Sequence, residues 1–382
     1  MYILLQLNVV ANWGSTGHIV EEIGKLAKSH NFESYIAYGR DTNSKSLSKL
    51  IHIGNNWDVK YHVLQSRLLD NHGLASKQVT RTFIKQIDSI KPDIVHLHNI
   101  HGYYLNYEIL FDYLAQLDIP IVWTLHDCWA FTGHCAYYSY VGCNRWRTLC
   151  HDCPQKKSYP SSWFADRSEQ NFRDKLHAFT SVRNMTLVPV SAWLAEEVRL
   201  SFLKDYPIQV IHNGIDTDVF SPKQICKSNL GLKDKFMILG VASVWETRKG
   251  LDEKQIKQLP KGIIGIRRTN SIQDLVAYYS VADAYFNPTW EDNFPTTNLE
   301  SLSCGTPVIT YHTGGSVEAV DERTGFVVEQ GNIAEVANIV EFIKEMGKEH
   351  WTFVCRERAR NLYDKKERYM EYLHLYEKVV SL

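Results

Sequence analysis

From Ile3 onward, short runs rich in Val, Ile and Leu alternate with segments whose apolar residues recur at helical spacing, and that alternation leaves few folds open. Ile3–Val9 reads as a strand, Gly14–His18 (GSTGH) as a glycine loop, and Ile19–Ser29 as a helix with Ile19, Ile23, Leu26 and Ala27 on one face. The order returns through Glu33–Tyr38, Lys77–Ile90, Asp93–His98, Glu108–Leu117 and Ile119–Leu125, and later runs extend it, with strands at Ile208–Ile211 and Phe236–Ala242 and a helix at Ile333–Met346. Strands separated by helices pair in parallel and are covered on both faces. The expected class is therefore α/β. At 382 residues, 44% hydrophobic and 22% charged, the chain is long enough for two such domains.

The formal net charge is −1, which excludes a bulk binder of nucleic acid, since such proteins carry a basic excess. The start MYILLQLNVV has no basic segment ahead of its apolar run and reads as a first strand, not a signal peptide. No apolar run reaches the roughly eighteen residues of a membrane span. The expectation is a cytoplasmic protein that touches the inner face of the membrane only peripherally.

Ala284–Gly315 carries the densest chemistry. Ala284–Phe286 reads as a buried strand broken by Asn287-Pro288; a helix follows, with Pro295 at its first position, Leu299 and Leu302 on its apolar face and Gly305 at its stop. The first amides of a helix lack acceptors and carry the positive end of the dipole. Thr296 and Thr297 would therefore welcome an anion at the carboxyl end of the strand. Glu300 lies one turn on, on the face of Thr296. A carboxylate there repels phosphate but accepts hydrogen bonds from a sugar diol, so the pair suggests a nucleotide, with diphosphate at the helix tip and ribose beside Glu300. An ordinary cap with a surface carboxylate fits the same residues.

A second cluster holds five of the eight cysteines: Cys128, Cys135, Cys143, Cys150 and Cys153, with His134 and His151 among them. Cys150-x2-Cys153 with Cys135 and Cys143 upstream has the composition of a four-thiolate structural zinc site; buried free thiols are the alternative. Trp146, Arg147, Tyr159 and Trp163 make this excursion, residues 128–163, a candidate acceptor surface.

Several of these motifs resemble the retaining GT-B glycosyltransferases of the family 4 type (glycosyl transferases group 1). The resemblance covers most of the chain. DNFPTTNLE matches their E-x7-E motif, with Asp292 in the place of the first acid and Glu291 one residue early; TLH ends at His126; HNGIDTDVFSP (His212–Pro222) resembles their interdomain linker. The resemblance implies two Rossmann-like domains facing each other across a cleft: residues 1–212 on the acceptor side, a linker 213–222, a nucleotide-sugar domain 223–364, and a helix 365–382 returning to the first domain. It implies transfer of a sugar from a nucleotide-sugar to a hydroxyl of a saccharide or lipid-linked saccharide, with retention, in surface polysaccharide biosynthesis. His126, Asp292 and Lys249 take the catalytic roles, with Asp127 orienting the His126 ring. Gly17, Arg248, Lys249, Glu291, Asn293, Phe294, Thr296, Thr297 and Glu300 take the donor, and no cofactor is required for catalysis. The family's arginine five residues before Lys249 is replaced by Val244. After Gly250 the chain is short of the family pattern by about one helix–strand pair. A non-catalytic remnant, or a nucleotide-sugar 2-epimerase on the same fold, are the rival readings.

Overall fold

The computed structural model describes residues 1–43, 45–251, 259, 262–266, 269 and 271–381. They form two compact units, 1–211 with 369–382, and 212–368.

The first unit is built on a six-stranded sheet in the order β3-β2-β1-β4-β5-β6. Its strands are β1 (Tyr2–Asn8), β2 (Phe32–Tyr38), β3 (Lys49–His52), β4 (Ile94–Leu97), β5 (Ile121–Leu125) and β6 (Met185–Pro189), all parallel to their neighbours. β1 pairs with both β2 and β4, with Gln6 opposite Ile36 and His96, so the strand order reverses at β1. Such a switch point opens a crevice beyond the carboxyl ends of the strands. The helices are α1 (Gly14–Ser29), α2 (Asn56–Leu69), α3 (Lys77–Ile90), α4 (Tyr107–Leu114), α5 (Ser168–Phe179) and α6 (Ala192–Arg199).

Two expectations change here. The GSTGH segment is the first turn of α1, not a loop before it. Ile208–Ile211 is no strand and makes only an isolated bridge from Ile208 to Leu187.

In the second unit the sheet has four strands, in the order β10-β9-β8-β7. They are β7 (Ile238–Leu239), β8 (Ala284–Asn287), β9 (Val308–Tyr311) and β10 (Gly325–Val328). Around them lie α7 (Ile272–Val281), α8 (Thr296–Ser303), α9 (Ile333–Met346), α10 (Lys348–Tyr363) and the start of α11 (Lys365–Val380). β8 and β9 are buried almost throughout. The buried strand expected over Phe236–Ala242 shrinks to two residues, and Ile238 stays 47% exposed. Ile263, Ile264 and Ile266 are exposed and outside any strand. Residues 252–258, in the stretch where the helix–strand pair is expected to be missing, lie outside the described residues.

α11 runs from the second unit into the first. Tyr369, Tyr372, Leu373, Leu375 and Tyr376 join Leu4, Ile23, Phe32, Ile94, Val122 and Val188 in one buried cluster. Each such side chain contributes roughly 1.5–3 kcal/mol by leaving water. Among the described residues no helix is long and apolar enough to cross a membrane.

Candidate active site

In the first unit the switch point gathers histidines. His98 follows β4 and His126 follows β5, both at the carboxyl edge of the sheet. The His98 Nδ1 lies 3.2 Å from His126 Nε2, and His98 Nε2 lies 3.3 Å from Gln6 Oε1. Behind them His96 bonds Tyr376 (2.6 Å) and Thr124 (2.8 Å). Burial lowers the pKa of His126 to about 4, and burial takes His96 and His98 well below the ordinary range, so all three rings are neutral near pH 7. The expectation that Asp127 orients His126 is revised. Asp127 instead bonds His101 Nε2 at 2.9 Å and the Trp129 amide at 2.9 Å, and His101 Nδ1 meets the Tyr159 hydroxyl at 2.9 Å. Burial opposes ionisation of Asp127, but His101 and the Trp129 amide act together against it and the carboxyl lies below its usual range. Gly17 is buried in α1; a Cβ there would lie 3.1 Å from Val10 Cγ2 and 3.3 Å from the Asn12 nitrogen, so a larger residue would push this helix start a few tenths of an ångström from the β1 loop.

The second unit brings together the acidic loop, the cations and the start of α8. Arg248 donates to the Glu291 carbonyl at 2.7 Å and to Glu246 Oε1 at 2.7 Å; Lys249 is ion-paired with Asp292. Trp290 N–H closes the loop on the Arg248 carbonyl at 2.8 Å. Gly314, at φ +48°, backs this loop so closely that a Cβ would stand 2.1 Å from the Asp292 oxygen. Pro295 is the residue before the first helical one, at φ −70° and ψ 117°, not the first helical position expected. The helix therefore opens with Thr296 and Thr297.

Glu300 sits one turn into α8. Tyr279, on α7, donates to its Oε2 at 2.9 Å, and Thr296 also bonds it. Burial raises the carboxyl to about 7, against the pull of those two hydrogen bonds. The two acids of the loop differ: Glu291 is completely buried, while the Asp292 side chain is 17% exposed. Asn293 is buried, and the ring of Phe294 packs on His212 (4.8 Å) and Tyr363 (5.8 Å), so what Phe294 offers a ligand is its backbone. Val244 is 69% exposed and leaves its place without the family's cation.

Sequence reasoning missed His98, His101 and Tyr279 as site residues. A histidine beside a strand is ordinarily a satisfied structural group, as His96 is, and a tyrosine on the apolar face of α7 carries no signal that its hydroxyl ends on Glu300.

In the cysteine-rich excursion, Cys135 and Cys153 are hydrogen-bonded through their side chains, which is the main reason the Cys153 thiol is lowered to about 7. Cys150 is raised to about 12, mainly by burial and in part by the charges of Cys153 and Cys143. Among the described residues, no three Cys, His, Asp or Glu side chains are already arranged to hold a metal ion.

The profile of Glycosyltransferase Family 4 matches residues 18–219, and that of Glycosyl transferases group 1 matches residues 223–344. The chain is 23% identical to the putative colanic acid biosynthesis glycosyl transferase WcaC of Escherichia coli K12, in an alignment of 429 residues covering 98% of this chain and 99% of the relative. That alignment is longer than the chain, so the relative holds residues with no counterpart here. Sucrose-phosphate synthase of Thermosynechococcus elongatus superposes over 100% of both chains with a TM-score of 0.71 at 15% identity. HepE of Anabaena, crystallised with UDP-glucose, does so over 100% of both chains with a TM-score of 0.65 at 15% identity. The matching profile over more than half of the sequence and the shared GT-B fold place this chain in Glycosyltransferase Family 4.

Proposed function

We propose that the protein moves a sugar from a nucleotide-sugar to a hydroxyl of a saccharide or lipid-linked saccharide, with retention at the anomeric carbon, in polysaccharide biosynthesis. The observation that carries this reading is Glu300, held by Tyr279 and Thr296 one turn inside a helix that follows directly on the acidic loop bound by Arg248 and Lys249. The carboxylate suits the two hydroxyls of a ribose; the helix start suits the diphosphate. WcaC, the relative aligned over nearly its whole length, is named for colanic acid biosynthesis, and HepE was crystallised with UDP-glucose; both support the acceptor and donor classes.

During transfer, negative charge grows on the leaving diphosphate. Lys249, Arg248 and the amides of Thr296 and Thr297 would stabilise it, with Lys249 and Arg248 exchanging their present acidic partners, Asp292 and Glu246, for phosphate oxygens. His126, neutral and fixed by His98, offers an uncharged hydrogen-bonding ring for a sugar hydroxyl. Asp292, more exposed than Glu291, faces the sugar in this reading.

A second reading is a remnant that no longer transfers sugar. The two-residue β7 and the exposed Ile263, Ile264 and Ile266 favour it. A thermal-shift scan against UDP-, GDP- and ADP-sugars, followed by NMR of any glycosylated product, separates the two. A binder of the native state alone raises stability by about 2.7 kcal/mol at a hundredfold excess over its Kd. A rise with one nucleotide class and a product of unchanged anomeric configuration support transfer with retention. An inverted product defeats retention, and no response to any nucleotide leaves the remnant. Asp292→Ala should lower turnover more than Glu291→Ala; equal losses would defeat the assignment of the acidic pair.

A further inference from the structure

We propose that Cys135, Cys143, Cys150 and Cys153 bind one structural zinc ion that holds together the excursion following β5. The inference is independent of the transfer reaction. It starts from chain geometry. Cys135 reaches Cys153, 18 positions later, through a side-chain hydrogen bond, and Cys150 has Cys143 and Cys153 as electrostatic neighbours. The Gly133 N–H donates to Cys150 Sγ at 3.2 Å. Gly133 sits so tightly that a Cβ on it would stand 2.0 Å from the Ser168 carbonyl oxygen and 2.7 Å from Cys150 Cβ. The turn leading into the first cysteine is thus seated on the third. Amide-to-sulfur bonds of this kind favour the thiolate over the thiol.

Three buried groups around the cluster make sense if anionic sulfur is present. Lys175 is buried, and its Nζ donates to the carbonyls of Trp129 (2.7 Å) and Thr132 (3.0 Å). Burial lowers its pKa to about 7, so its charge needs an anionic partner. A buried ammonium held by carbonyls alone is costly, and a thiolate cluster supplies its counter-charge. His134, beside Cys135, bonds Asp70 through Nδ1 at 2.7 Å, while its Nε2 is buried without a partner among the described residues. Trp146 Nε1, three residues after Cys143, is likewise buried and unpartnered among the described residues.

In the thiol form the sulfurs neighbour one another without being arranged as ligands. Zinc displaces the four thiol protons and draws the sulfurs to one centre, leaving a dianionic site beside the buried Lys175 amine.

The test is metal analysis of the full-length protein, purified reduced without chelator, with native thiol titration and cobalt substitution. We expect about one zinc per chain. Native thiol reagent should reach Cys226, which is exposed, and spare the four until a chelator is added. Cobalt should give the intense visible bands of a tetrahedral thiolate site. Cys143→Ser and Cys153→Ser should lose the metal; Cys226→Ser should keep it. Because a ligand variant may simply fail to fold, the wild type is also stripped with chelator and titrated back with zinc, which should restore thiol protection and raise the melting temperature. Folded protein that takes up no zinc, with the four thiols freely reactive or with Cys135 joined to Cys153 in a disulfide, overturns the proposal.

Discussion

The two sheets share parallel strands and intervening helices, yet among the described residues one has six strands and the other four. In the first, β1 is flanked on both sides and its central residues Leu4 and Leu5 are buried completely. In the second, β7 stands at the end of the sheet among the described residues, two residues long, with Ile238 half in solvent. What remains intact there is the half made of β8, α8 and β9. That half carries Glu300, the acidic loop and the glycine turn behind it. The difference teaches that Glu300 and the acidic loop hang on the intact side of the second sheet, while the shortening falls on the side of β7, just ahead of Arg248 and Lys249.

Truncating a core residue of the complete sheet should have the largest effect. Leu373→Ala, in the α11 cluster beneath β1, is expected to cost about 2–5 kcal/mol in urea unfolding; a loss under 1 kcal/mol would mean that α11 does not complete that core. Next comes Glu300→Ala. Losing charged hydrogen bonds to a ribose costs about 1.5–3 kcal/mol, or on the order of ten- to a hundredfold in nucleotide affinity by calorimetry. Binding unchanged in that variant would move the donor elsewhere.

A titration sharpens the same point. With Glu300 near 7 before binding, its carboxylate is the minor form at pH 6 and the major form at pH 8, so nucleotide affinity should rise by about tenfold across that window. The sign for stability is the reverse. A carboxyl whose native pKa is raised stabilises most below the ordinary glutamate range, and that contribution is lost as pH rises through about 7. Glu300→Gln should flatten both slopes, and slopes unchanged in that variant would assign the titration to another group. The smallest effect is expected at the open edge. Ile238→Ala should shift stability by no more than about 0.5 kcal/mol, as for a surface site, and a core-sized loss there would show that β7 is covered after all.

Much of this architecture was legible because period alone separates strand from helix. Lys77–Ile90 and Ile333–Met346 were bounded by their apolar spacing and occur as expected. α2 was not foreseen, since it buries His62 and Ser66 while Trp57, Tyr61 and Leu64 face solvent; its one local signal is the Asn55 and Asp58 capping box. β3 was missed because a half-exposed strand of four residues has too little pattern to read. The Phe236–Ala242 run looked like a core strand, but apolar residues stay in a strand only when neighbours cover them. Within the site, sequence placed Glu300, Asp292 and Lys249 on adjacent segments. It could not reveal that Tyr279 holds Glu300 or that His98 meets His126, because those contacts join separate elements.

The central claim is that the half carrying β8, α8 and β9 is a stable nucleotide pocket beside a frayed edge. Amide hydrogen exchange of the full-length protein, with and without each of a panel of UDP-, GDP- and ADP-sugars, tests it most directly. The account predicts slow exchange in β8 and β9, fast exchange in β7 and residues 263–266, and added protection at the start of α8 with one nucleotide class. Fast exchange throughout residues 212–368, unaltered by every nucleotide, would contradict it.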